Sequence, residues 1–127
     1  MSPKILIVDD RQELLGLWEE WANNFKAAND RPDLEIVGVT TFEAAEQAIL
    51  AAPSPCLLVT DVELCDLEGR SGLDLLPLVK EANQSAKAIV MSANRAHKIR
   101  ALELGADIFL EKPIGEKLFC DTLKGLI

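Results

Sequence analysis

Five short runs of apolar residues limit what this chain can fold into more than any other feature. They are Ile5-Leu6-Ile7-Val8, Glu35-Ile36-Val37-Gly38-Val39, Cys56-Leu57-Leu58-Val59, Ala88-Ile89-Val90-Met91 and Ile108-Phe109-Leu110. A strand with one wet face alternates apolar and polar residues. A continuous run reads instead as a strand buried on both faces, as in a parallel sheet. Helical patterns separate the runs. In 11–28, Leu14, Trp18, Trp21 and Phe25 fall at spacings that share one helix face. Thr40-x-x-Glu43 predicts a capping box ahead of a helix over 41–52, closed by Pro53 and Pro55. A third helix is expected over 72–83, its start delayed or bent by Pro77. A fourth over 95–104 ends at Gly105, and a fifth spans 115–126. Strand and helix alternating five times predict an α/β fold with helices on both faces of one sheet.

Size and charge narrow the classes further. With 127 residues the chain suits a single domain spanning 1–127. Acidic residues outnumber basic ones 21 to 13, a formal charge of −8. Phosphate backbones repel such a surface, so direct nucleic-acid binding is not expected. The apolar runs fall far short of the ~18 residues a membrane helix needs, so no membrane span is expected. Cys56, Cys65 and Cys120 form no C-x-x-C pair and no zinc pattern. Cys56 is expected in the core, Cys65 on a loop and Cys120 on a helix, in a reducing cytoplasm.

In parallel α/β sheets the ligand crevice lies beyond the carboxyl ends of the strands. Asp9 and Asp10 follow the first run, Asp61 the third, Ser92 the fourth, and Glu111-Lys112-Pro113 the fifth. If the strands that carry them are neighbours, three carboxylates, a hydroxyl and an ammonium meet on one rim. Three close carboxylates repel one another, and a hard divalent cation such as Mg²⁺ relieves this. Lys112 supplies a point charge suited to a phosphate oxygen. Carboxylate, metal, hydroxyl and lysine together point to phosphoryl transfer with an Asp as nucleophile.

These residues, in this order, resemble the receiver domains of two-component response regulators, and are similar to the stand-alone chemotaxis-type receivers. The resemblance rests on Asp9-Asp10, Asp61, Ser92-Ala93, Phe109 and Lys112-Pro113, and covers essentially the whole chain. It implies a flavodoxin-like (βα)5 three-layer sandwich, with a parallel five-stranded sheet of order 2-1-3-4-5. It implies that Asp61 takes a phosphoryl group from a phosphohistidine on a sensor histidine kinase or phosphotransfer protein. Asp9, Asp10, Asp61 and the backbone carbonyl of Glu63 would hold Mg²⁺. Ser92, Ala93 and Lys112 would bind the phosphoryl group. Ser92 and Phe109 would form a switch, and the Lys112-Pro113 peptide would be cis. The implied readout is a downstream protein target, with a homodimer through the 95–126 face as a family habit.

The chain also departs from the family pattern. The stretch from Leu64 to Gly72 is about three residues longer than usual, and Glu63 and Asn94 occupy positions that tune acyl-phosphate lifetime in the family. Arg95, Lys98 and Arg100 give the fourth helix a basic patch, while His97 reads as a solvated side chain and Trp18 and Trp21 as packing residues. Other classes fit less well. An Asp-nucleophile phosphatase carries D-x-D after its first strand, where Asp9-Asp10-Arg11 stands here. A flavodoxin needs a hydroxyl-rich phosphate loop in place of these acids. A degenerate receiver, binding partners without phosphorylation, would lack an acid, the hydroxyl or the lysine.

Overall fold

The computed structural model describes residues 3–127. Five parallel strands form one sheet in the order β2-β1-β3-β4-β5. They are β1 (Lys4–Val8), β2 (Glu35–Val39), β3 (Leu57–Asp61), β4 (Lys87–Ser92) and β5 (Ile108–Glu111). The helices are α1 (Gln12–Ala28), α2 (Phe42–Leu50), α3 (Leu75–Ala82), α4 (Lys98–Glu103) and α5 (Glu116–Leu126). Every residue of β1 and β3 is buried, which is why Ile5–Val8 and Leu57–Val59 read as unbroken apolar runs; Lys4, Thr60 and Asp61 at the strand ends are the polar exceptions.

Alternation along the strands divides the core in two. Leu6, Val8, Leu58, Ala88 and Val90 face one layer, with Phe42, Ile49, Leu76, Val79 and Ala101 from α2, α3 and α4. Ile5, Ile7, Leu57, Val59, Ile89 and Met91 face the other, with Leu15, Trp18, Phe25, Phe119 and Leu123 from α1 and α5. Such two-sided burial yields the three-layer sandwich. Among the described residues no helix is long and apolar enough to cross a membrane.

Local signals explain most helix boundaries. Thr41, not Thr40, caps α2: its Oγ1 accepts the Ala44 N–H at 3.1 Å. The cap sits one residue later than the spacing to Glu43 predicts, so Ala44 occupies the third helical position and no capping box forms. The inward line of α1 is Leu15, Trp18, Ala22 and Phe25, with Leu14 and Trp21 packed alongside. Ala22 carries little apolar signal, so the stripe drawn from large residues is rotated. A 3-10 turn over Gly72–Asp74 precedes α3, and a box between Ser71 and Asp74 caps it. Pro77 then falls in the first turn of α3, where its missing N–H leaves no bond unmade. The expected fourth helix is split into a 3-10 turn (Arg95–His97) and the six-residue α4. Gly105 closes α4 at φ +109°, with Ala106 N–H donating to Ala101 O and Gly105 N–H to Leu102 O. That pair of bonds is the glycine-dependent helix stop.

Candidate functional site

Strand parity delivers the acidic residues to one spot. Asp9 continues the phase of Ile5 and Ile7, and Asp61 that of Leu57 and Val59, towards the α1 and α5 layer. Lys112 continues the phase of Ile108 and Leu110, which pack in that same layer. β1 and β3 are paired neighbours, so Asp9 and Asp61 end side by side. β4 separates β3 from β5 in the sheet. The Lys112 N–H donates to Ser92 O at 2.9 Å, holding the lysine's backbone against the end of β4.

The charged atoms converge closely. One carboxylate oxygen from each of Asp9, Asp10 and Asp61 lies within 4.8 Å of the others. Lys112 Nζ is 3.0 Å from Asp61 Oδ1 and 3.5 Å from Asp9 Oδ2. Three carboxylates against one ammonium leave two negative charges without a counter-charge in the cluster. Burial pushes the Asp61 carboxyl above its ordinary value, Lys112 opposes this, and Asp9 and Glu63 add to the rise. Oxygen donors with excess negative charge fit a hard divalent cation such as Mg²⁺. Asp10 is only partly buried and faces a cavity of about 230 Å³ lined also by Asp61, Glu63, Cys65, Ala93 and Lys112.

Asp9 differs from its neighbours. It is fully buried and held from three sides. Oδ1 accepts the Arg11 backbone N–H at 2.9 Å, and Oδ2 accepts the Trp18 Nε1–H at 2.9 Å and Lys112 Nζ at 3.5 Å. Trp18 is therefore more than packing. A buried indole N–H needs an acceptor, and Trp18 lies on the inward line of α1 beside the end of β1. Those two facts were the sequence signal for this contact.

The remaining residues occupy the opposite phase or the loops. Ser92 is fully buried, and its Oγ accepts the Asn94 N–H at 3.0 Å. Ala93 is exposed at the cavity wall. Phe109 is half-buried against the core layer of α2, α3 and α4, the layer to which the phase of Ser92 also points. The Lys112–Pro113 peptide is cis, as is Ala52–Pro53. Glu63 is exposed, and its Oε1 meets His97 Nε2 at 3.3 Å. His97 is thus half-buried on the 3-10 turn before α4, where a solvated residue was expected. Cys56 is likewise only half-buried, because β3 begins one residue later.

The long loop after β3 is anchored and self-tied. Val62 and Leu64 are buried beneath it. Asp66 accepts the backbone N–H groups of Glu68 and Arg70, and both of its oxygens accept from the Arg70 guanidinium. That pairing lowers the Asp66 carboxyl to about 2. Arg70 also lies over the Phe42 ring, 4.3 Å from its centroid. Gly72 ends the loop against the phosphoacceptor candidate: a Cβ there would stand 1.9 Å from Asp61 O and 2.6 Å from Thr60 Oγ1. Cys65 is exposed at φ +50°, with its thiol pushed up by a hydrogen bond to Asp10.

Known proteins share this architecture. The chain is similar to a response regulator, TrrA, from Thermotoga maritima, solved in complex with Mg²⁺-BeF. The TM-score is 0.79 at 21% identity, over 98% of this chain and 99% of that one. A response regulator receiver domain protein from Clostridium thermocellum gives 0.78 at 20% identity, over 98% and 94%. In sequence, 31% identity over 113 residues relates it to a protein-glutamate methylesterase/protein-glutamine glutaminase of Thiobacillus denitrificans, covering 89% of this chain and 30% of that protein. The sensory transduction protein LytT of Bacillus subtilis is 31% identical over 121 residues, covering 95% and 46%. The chain thus spans less than half the length of these curated relatives. The match to the family described as "Response regulator receiver domain" covers residues 5–124. Because that match runs from the first strand into the last helix, no single motif has to carry the assignment: the chain belongs to the receiver domains of two-component response regulators.

Proposed function

We propose that Asp61 is the phosphoacceptor of a Mg²⁺-dependent phosphorelay, with residues 1–127 acting as one receiver domain. The observation that carries this reading is the meeting of Asp61 with Lys112 at 3.0 Å inside a cluster of three carboxylates. In the transfer, an Asp61 oxygen attacks the phosphorus of a phosphohistidine on a sensor histidine kinase or phosphotransfer protein. The P–N bond breaks, its electron pair returns to the imidazole nitrogen, and an acyl phosphate forms on Asp61. Asp9, Asp10, Asp61 and the Glu63 backbone carbonyl are the groups that would hold Mg²⁺. The ion supplies charge neutralisation for the phosphoryl oxygens.

The chain's own residues do the rest. Lys112, paired with Asp61 before transfer, takes a phosphoryl oxygen afterwards. The Ser92 hydroxyl and the Ala93 backbone receive the others, which draws the β4–α4 loop inward. Phe109, in the layer on Ser92's side of the sheet, adjusts with it. That movement alters the face formed by α4, β5 and α5, where Ile99, Leu102 and Leu118 are exposed. This face would meet a downstream protein target or a second copy of the chain, in the cytoplasm. The role is a switch rather than metabolic catalysis.

An intact-mass assay with a small acyl-phosphate donor tests the reading. The wild-type chain should gain one phosphoryl group only with Mg²⁺, and Asp61→Asn should gain none. A wild-type chain that binds Mg²⁺ yet gains no mass, even with a quench in seconds, would favour a receiver that signals by binding alone.

A further inference from the structure

The geometry points to Trp18 as a positioning residue of the acidic site, one that orients Asp9 and thereby decides where Lys112 pairs. The inference rests on the phosphoacceptor reading above and adds to it a residue from α1. Each carboxylate oxygen has room for about two hydrogen bonds. On Asp9, Oδ2 already accepts from Trp18 Nε1 and Lys112 Nζ, while Oδ1 accepts only the Arg11 N–H. Asp9 is fully buried, so no bulk water competes for these positions. The 2.9 Å indole bond holds Oδ2, and Lys112 stays at 3.5 Å from it. The lysine's shorter contact, 3.0 Å, goes to Asp61.

The indole is itself fixed. Trp18 stacks on Phe119 at 5.7 Å and 16°, and meets the edge of Trp21 at 5.2 Å. Lys112 Nζ also lies 5.7 Å from the centroid of the Trp18 ring. One side chain therefore touches Asp9, sits beneath Lys112 and leans on α5. Phenylalanine at position 18 would keep the stack and lose the donor. Asp9 Oδ2 would then be free to draw Lys112 away from Asp61, and the Asp9 carboxylate would lose its fixed plane. Mg²⁺ demands near-octahedral ligand geometry, so both changes weaken its binding.

The test is Mg²⁺ titration by calorimetry on the wild-type chain, Trp18→Phe and Trp21→Phe, each checked for folding by circular dichroism. Trp18→Phe should weaken Mg²⁺ binding by about tenfold, the usual effect of removing a ligand's orienting partner. Trp21→Phe removes a neighbouring ring and leaves the Asp9 bond, so its affinity should match wild type. A second readout needs no change at position 18. In Trp21→Phe, the single remaining indole N–H resonance should move on adding Mg²⁺ and on adding Asp9→Asn. Wild-type affinity in folded Trp18→Phe, or an indole signal indifferent to both changes, overturns the inference. A wild-type chain that takes up no Mg²⁺ overturns the phosphoacceptor reading, and this inference with it.

Discussion

Asp10→Asn should make the metal-free chain more stable and the Mg²⁺-loaded chain less so. In the folded state Asp10 stands beside Asp9 and Asp61, with carboxylate oxygens within 4.8 Å. At about 5 Å and an effective dielectric constant of about 20, one pair of unit charges is worth about 3 kcal/mol. Asp10 meets two such repulsions, from Asp9 and Asp61, and Lys112, paired with those two acids at 3.5 and 3.0 Å, cancels about one of them, which leaves about 3 kcal/mol of net repulsion. Asp10 is partly exposed, and solvent screening halves that figure or more. Removing its charge should therefore stabilise the metal-free protein by about 1 to 1.5 kcal/mol, or roughly 3 to 6 °C in Tm. Mg²⁺ at a hundred times its Kd should add about 2.7 kcal/mol to the wild-type chain. The variant, lacking a ligand, should gain little. Thermal melts of both chains in EDTA and in saturating Mg²⁺ would show the order of stabilities crossing. An Asp10→Asn chain that melts below wild type in EDTA, or that gains as much from Mg²⁺, would refute the account of Asp10 as a strained ligand.

Two further outcomes follow from the loop beside the site. Gly72→Ala would drive a methyl into the Asp61 carbonyl, 1.9 Å away, and backbone cannot give way as a side chain can. It should cost at least about 2 kcal/mol in urea unfolding and depress Asp61 phosphorylation more than stability alone explains. The Asp66 carboxyl is lowered to about 2 by Arg70, from an ordinary 3.8. A depressed acid stabilises fully above its unfolded value, so the Asp66–Arg70 tie should hold at pH 4 and above and be lost as pH falls through 2. Pepsin cleavage near the exposed Leu67 should rise across that window, and Asp66→Asn should be cut readily already at pH 4.

Much of this was legible in the residues because burial on both faces writes itself as unbroken apolar runs. Hence the five strands, their alternation with helices and the stop at Gly105 could be read directly. The polar residues that end those runs could be named too, since the carboxyl ends of parallel strands point one way. Helix edges were less legible. Thr40 and Thr41 are equally good caps by composition, and only the backbone turn after β2 chose Thr41. The split before α4 follows from Asn94, whose side chain caps a tight turn at Arg95–His97 that sequence spacing cannot tell from a first helical turn.

The groups able to do chemistry can be named from the residues alone: three acids, a hydroxyl and a lysine, each following a strand. How they share their bonds depends on the packed layers. Parity along β1 and β3 set Asp9 and Asp61 towards α1, and the rotation of α1 about its axis brought Trp18 Nε1 to 2.9 Å from Asp9. Likewise the self-tied loop placed Gly72 against the Asp61 carbonyl. These contacts join residues far apart in the chain through packing against a common core. Local patterns record which face a side chain takes, while the distance between two faces is fixed only when the layers close.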